Sequence, residues 1–357
     1  MTEAVVATRA EAVDLEFGAA VVIEPLEGFL DEIGLTGGEV QVEEIGGGHS
    51  NLSFLIRRDH RRMVLRRPPR GPIFASANDV LRESRVLEAL RPTQVPVPEI
   101  LARCGDPEVI GAPFFLMTFI EGSPINDGLP PSLAVPDAAE RIVEELVSTL
   151  ADLHATSLTD TDLGAIGKPN GYLERQLRRF SALLDANATR PLPELERIAE
   201  WLSNHRPTTP TATFVHGDYR LGNVMFVAPL RLAAVLDWEM ATVGDPLADL
   251  GHLTATWAEP GDEISPMLAL SRLTLAPGFP GREDVARRYA QITGRAVASL
   301  PWYQVLALWK SAIFLEGSYK RYRTGASSDP FFADLEQGVP MLGRAAQARI
   351  ESAESSL

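Results

Sequence analysis

The sequence holds one cysteine, Cys104, among 357 residues, which leaves no intrachain disulfide framework and no cysteine-based metal cluster. Its Cys-Gly-Asp-Pro setting reads as a surface turn, and a lone thiol fits a reducing compartment. No uninterrupted apolar run approaches the ~18 residues of a membrane-spanning helix. Residues 1–17 carry acidic side chains through their apolar stretch and lack the basic start of a secretory signal. A cytoplasmic protein is therefore expected. Basic residues are scarce relative to acidic ones: 33 Lys and Arg stand against 48 Asp and Glu, a formal charge of −15. Nucleic acid and anionic membranes both need their phosphates neutralised, so neither is expected as a partner. Of the six histidines, His49, His205 and His252 lack paired ligand spacing, and no zinc site is expected.

What is present is ordinary globular material, 45% hydrophobic and 23% charged, enough to bury a core. The length suits two lobes rather than three domains, and no internal repeat appears. Residues 1–39 read as a ragged tail and an amphipathic helix at 25–33 that stops at Gly34. Between 40 and 69, three short strands alternate with turns: V-Q-V-E-E-I, L-S-F-L-I-R-R and M-V-L-R-R. A helix follows at 78–90, and the apolar run 113–120 reads as a buried strand. Beyond Pro136 the pattern turns helical. Asp137 with Glu140 forms a candidate capping box for a helix through Ile142, Leu146, Leu150 and Leu153. Further helices are predicted at 173–184, 194–203, 282–293 and 302–322, with strands at 213–215, 224–227 and 233–236. The fold class is therefore α+β, a β-rich N-terminal lobe joined to a mostly helical C-terminal one.

The sharpest constellation is His216-Gly217-Asp218-Tyr219-Arg220-Leu221-Gly222-Asn223, followed after a strand by Leu236-Asp237-Trp238-Glu239. Asp218, Asn223 and Asp237 are hard oxygen donors spaced to converge where phosphates and Mg²⁺ meet. The bland reading is a strand-end turn with Asn223 as a loop cap. The two linked motifs resemble the catalytic loop and metal-binding segment of the aminoglycoside phosphotransferase (choline kinase-like) family, over about residues 40–325. The family's bilobal, protein-kinase-like fold is what the resemblance implies, with a nucleotide-binding lobe at 40–121 and, at 122–357, a lobe holding the catalytic loop and acceptor site.

By that resemblance Asp218 positions or deprotonates an acceptor hydroxyl, while Asn223 and Asp237 hold Mg²⁺ against ATP. Gly46-Gly47-Gly48-His49-Ser50-Asn51 sits between two strands. It reads either as a plain hairpin turn or as a phosphate cradle using Gly47, Gly48, Ser50 and Asn51. In M-V-L-R-R, Val64 would line the adenine, and Arg66 stands where the family's phosphate-gripping lysine is expected. Glu83 is Arg66's natural partner or else surface charge, and Phe119 and Ile120 fall at the hinge. Arg66, R-R-P-P and G-Y-L-E-R-Q resemble the members associated with acyl-CoA dehydrogenases.

Asp245 and Asp249 either brace the catalytic loop or serve as turn and cap, and His154 reads as a packed helix-end residue. The aromatic stripe from Trp302 to Tyr322 reads as core. Lys310, Tyr319 and Arg323 could meet an anionic acceptor, and Glu259, Asp262 and Glu263 a cationic one. The expected function is ATP- and Mg²⁺-dependent transfer to a hydroxyl of a small molecule, whether aminoglycoside-like, a hydroxyacyl-CoA or another metabolite. A nucleotide-binding pseudokinase that regulates a partner is the alternative, motivated by Arg66.

Overall fold

The computed structural model describes residues 5–12, 15, 18–46, 51–70, 79–208, 211–325 and 330–355. Gly47, Gly48 and Ser50 of the glycine-rich loop lie outside them. The chain divides into two compact units. One comprises Met1–Pro92, Pro96–Glu121 and Leu236–Glu239; the other Thr93–Val95, Gly122–Val235 and Met240–Leu357.

The first unit is built on five antiparallel strands, β1 (Val40–Ile45), β2 (Leu52–Arg58), β3 (Arg61–Arg67), β4 (Ile100–Cys104) and β5 (Phe114–Thr118), in spatial order β1-β2-β3-β5-β4. Because side chains alternate along a strand, β3 sends Met63 and Leu65 to one face and Val64 and Arg66 to the other. Met63 and Leu65 join Phe54, Ile56, Phe114 and Leu116 in a core covered by Leu26 and Leu30 of α1 (Ile23–Glu32). On the opposite face Val64 and Arg66 stand beside Leu55, Ser53, Met117 and Phe115, and α2 (Val80–Leu90) packs on β4 and β5. Asp79 caps α2 by accepting the Arg82 N–H at 2.9 Å. Cys104 is buried at the end of β4 opposite Phe114, not in a surface turn. The turn begins one residue later, and the thiol is the last side chain that the sheet carries into the core.

In the second unit, β6 (Ser123–Pro124), β8 (Val224–Val227) and β9 (Arg231–Val235) form one small sheet, and β7 (Thr213–Val215) pairs with β10 (Thr242–Gly244) in another. The helices are α3 (Ala138–Ala155), α4 (Tyr172–Asn187), α5 (Pro193–Asn204), α6 (Leu247–Ala255), α7 (Arg282–Thr293), α8 (Leu300–Arg323) and α9 (Leu335–Ser355). α8 is apolar around most of its circumference and runs through the middle, packed by α4, α5, α6 and α9. Trp302, Tyr303, Trp309 and Tyr319 are core residues, while Phe314 remains exposed. The capping box at Asp137 does not form. The Asp137 backbone is left-handed (φ 58) and its side chain makes no cap bond, while Glu140 turns away to accept from Arg288 at 3.1 Å. No helix among the described residues is long and apolar enough to cross a membrane.

Candidate active site

Strand β7 delivers the H-G-D segment, and its backbone is pinned from below by α6. Asp249, in the first turn of α6 and fully buried, accepts the N–H groups of His216 and Gly217, both at 2.7 Å. Its Oδ2 also lies 3.2 Å from His154 Nε2, and His154 Nδ1 meets the Tyr289 hydroxyl at 2.7 Å. Asp249 is thus a brace rather than a cap, and His154 is packed into the same network. Burial alone would favour the neutral acid, but the hydrogen bond and charge of His154, then His216 and the Gly217 N–H, hold the Asp249 carboxyl below the usual range. Gly217 sits at φ +86, and a Cβ there would lie 2.7 Å from the Met240 carbonyl oxygen, so only glycine fits this close approach. Asp245 accepts the Leu247 N–H at 3.0 Å and the Tyr303 hydroxyl at 2.6 Å, which ties the start of α6 to α8.

On this scaffold the Asp218 side chain stays 29% exposed, among the buried side chains of His216, Tyr219, Leu221 and Asn223. Its Oδ2 accepts from Asn223 Nδ2 at 2.6 Å and lies 3.5 Å from Arg220 Nε. Oδ1 lies 2.7 Å from Nε2 of His252. Burial opposes ionisation, but the hydrogen bonding and charge of His252, followed by Arg220 and His216, outweigh it and hold the carboxyl far below the usual range. Asp218 is therefore an anion at neutral pH. Asn223 also donates to the Asp218 carbonyl at 2.8 Å, so its amide hydrogens face the loop and its oxygen is left for a cation. Magnesium prefers such hard oxygen donors.

In the first unit, Glu83 falls within the apolar stripe of α2, between Val80 and Leu87, and is 2% exposed. A carboxylate there needs a cation. Arg66 supplies it from β3, with Nε 2.8 Å from Glu83 Oε2, and its Nη2 reaches Asp237 Oδ1 at 2.5 Å. Ser53, directly across from Arg66 in the sheet, lies 3.4 Å from Nη1. Burial disfavours the Arg66 cation, yet Glu83 and Asp237 overcome that and make it harder to deprotonate. Asp237 adopts a left-handed backbone (φ 66), which aspartate tolerates better than most residues. Its carboxylate is a second hard oxygen donor of the kind Mg²⁺ takes. Buried Asn51 donates to Glu239 at 3.0 Å. Val64 is buried, whereas Phe119 and Ile120 are half-buried just beyond β5, with the Arg62 guanidinium 4.6 Å from the Phe119 ring centre.

The candidate acceptor residues divide. Glu259 and Asp262 are both engaged by Arg282, and Glu263 by Arg344, so this acidic group already has its cations. Tyr319 carries Arg190 and Arg323 on its ring. Lys310 lies 4.9 Å from the Phe180 ring centre, and burial, then Arg179, pulls its ammonium down to about 8 against the pull of Asp249 and Asp218. Sequence reasoning overlooked His252 as a partner of Asp218. The usable signal was its place in D-L-G-H, three residues after Asp249, because that spacing puts both side chains on one side of a helix.

Residues 41–292 match the profile of the phosphotransferase enzyme family. The chain is 34% identical over 295 residues to acyl-CoA dehydrogenase family member 10 of Mus musculus, covering 82% of this chain but 27% of that protein. It thus spans little more than a quarter of that relative's length. A Ralstonia eutropha protein provisionally named an aminoglycoside phosphotransferase superposes with a TM-score of 0.76 at 29% identity, over 92% of this chain and 98% of its own. A choline kinase from Cryptosporidium parvum shares the fold with a TM-score of 0.63 at 10% identity, over 93% of this chain and 96% of that one.

Proposed function

The chain belongs to the phosphotransferase enzyme family and has its protein-kinase-like fold, and from that premise we propose that it moves the γ-phosphoryl group of ATP to a hydroxyl of a small molecule. The observation that carries this reading is Asp218, an ionised carboxylate left accessible on a loop whose backbone is otherwise locked. In this role Asp218 orients the acceptor hydroxyl and takes its proton as the oxygen attacks the γ-phosphorus. Asn223 and Asp237 would hold Mg²⁺, which supplies charge neutralisation at the phosphates when bound. Arg66, kept in place by Glu83, would grip the phosphates, with Asn51 and the Gly47, Gly48 and Ser50 loop around them. Val64, Phe119 and Ile120 would receive the adenine. The name of the mouse relative favours a hydroxylated acyl thioester over an aminoglycoside as the first acceptor to try.

The test is calorimetry of Mg-ATP binding, then ADP release with a panel of a hydroxyacyl-CoA, free hydroxy acids, choline and aminoglycosides. One acceptor should be phosphorylated, and Asp218→Asn should keep nucleotide affinity while losing about 10²- to 10⁴-fold in turnover. Equal turnover in the variant would remove Asp218 from its role. A wild type that binds Mg-ATP yet transfers nothing would favour the pseudokinase reading.

A further inference from the structure

The two oxygens of Asp218 have different company. Oδ2 is held by its own loop, through Asn223 and Arg220. Oδ1 is met from another element altogether, by His252 Nε2 at 2.7 Å. That nitrogen is buried, with Asp218 Oδ1 at hydrogen-bonding distance but off the hydrogen-bond line, and it has no aligned partner among the described residues. A bare Nε2 would set its lone pair against a carboxylate at this distance, whereas the Nε2–H tautomer and the imidazolium both present an N–H.

We infer that His252 is a positioning residue for phosphoryl transfer, an Nε2–H donor that fixes the rotation of the Asp218 carboxylate so that one oxygen stays aimed at the acceptor hydroxyl. The inference rests on the proposed role of Asp218. His252 comes from a rigid mount. Asp249, one turn earlier on α6, holds the backbone of the loop, so a single helix fixes both the main chain and the side chain of the H-G-D segment. The helix itself cannot slide. Gly251 abuts Tyr303, where a Cβ would come within 2.5 Å of the tyrosine Cβ, and the Tyr303 hydroxyl is bonded to Asp245. Asn223 cannot do this work alone, because it grips only Oδ2 and leaves the carboxylate free to turn about that contact.

Removing the donor should therefore affect the chemical step more than binding. His252→Leu should lower kcat by about 10- to 100-fold, the scale of a reacting group displaced by a fraction of an ångström to one ångström, with KM for ATP within about twofold of wild type. His252→Gln, whose amide N–H reaches a similar place, should recover most of that loss. Equal loss in both variants, or a loss confined to KM, would overturn the inference and leave His252 as packing.

A second readout does not depend on any acceptor. In protein labelled with ¹⁵N-histidine, the His252 Nε2 resonance should be of the protonated type and should move in Asp218→Asn. A bare-nitrogen resonance, or no shift in the variant, would overturn the inference whatever the kinetics show. A protonated, shifting Nε2 in a protein that transfers to no acceptor would instead sink the function proposed above.

Discussion

Replacing Asp249 with asparagine isolates the brace beneath the H-G-D loop. The native carboxylate takes two backbone N–H groups at 2.7 Å in a fully buried position. Asn keeps one acceptor oxygen and turns an NH₂ toward the other amide. One charge-assisted bond is lost, about 1.5–3 kcal/mol, and a buried N–H is left facing a donor, so the total is about 2–4 kcal/mol. Urea unfolding followed by tryptophan fluorescence suits the measurement, because Trp201, Trp257, Trp302 and Trp309 lie in the unit that holds Asp249 and only Trp238 lies in the other. The pH dependence adds a sign. The Asp249 carboxyl is held below its ordinary range, so the unfolded chain takes up its proton at a higher pH than the folded one. The contribution is present above about pH 4, and it is lost as the pH falls through the lower, folded value. The gap between wild type and Asp249→Asn should therefore be full at pH 7 and shrink on acidification toward pH 3. A gap below about 0.5 kcal/mol at pH 7, within the range of ordinary surface changes, or one that widens in acid, would refute the reasoning.

Lys310 carries a penalty where Asp249 brings a gain, although stability depends on pH with the same sign at both. Burial holds its ammonium at about 8, below the unfolded value of about 10.4, so the unfolded chain binds more protons in that window and stability rises with pH through it. Lys310→Met should melt above wild type at pH 7, with the gap closing by about pH 10; parallel melting curves across that range would count against it. At Arg66, alanine should weaken Mg-ATP binding, cut turnover and destabilise the first unit by stranding Glu83, whereas lysine should keep measurable activity because charge matters before geometry. Calorimetry and turnover indistinguishable from wild type in Arg66→Ala would mean that the grip on phosphate lies elsewhere.

Much of this was legible in the chain itself wherever the determining contacts are local. The strands β1, β2 and β3 announce themselves through alternation and the turn at Asp59, whose backbone is left-handed (φ 52). The helix at 282–293 was placed to the residue by its apolar spacing. Failures came where a distant partner decides. Asp137 and Glu140 have the right types for a cap, but Arg288, far along the chain, claims Glu140. Cys104 precedes turn residues, yet its strand parity puts it in the core opposite Phe114. The same division holds at the candidate site. The H-G-D and L-D-W-E segments are contiguous strings, visible by spacing. The contacts from Tyr289 through His154 and Asp249 to the loop, and from His252 to Asp218, join residues that only the packed helices bring together.

The first unit is not one continuous stretch of chain, since Leu236–Glu239 belongs to it although the residues on either side belong to the other. On the ribosome, the five-stranded sheet can form once residue 118 has emerged, but Arg66 and Asn51 must wait until Asp237 and Glu239 are synthesised. Until then Arg66 has Glu83 but not Asp237, and Asn51 lacks the carboxylate of Glu239. A nascent chain stalled between these points would hold a folded sheet whose polar wall around Arg66 and Asn51 is unfinished. Completion of that wall is thereby coupled to translation of the H-G-D segment, which is made first. For the same reason, a fragment cut after Glu121 is a poor stand-in for the unit, and a faithful one would need Leu236–Glu239 grafted back.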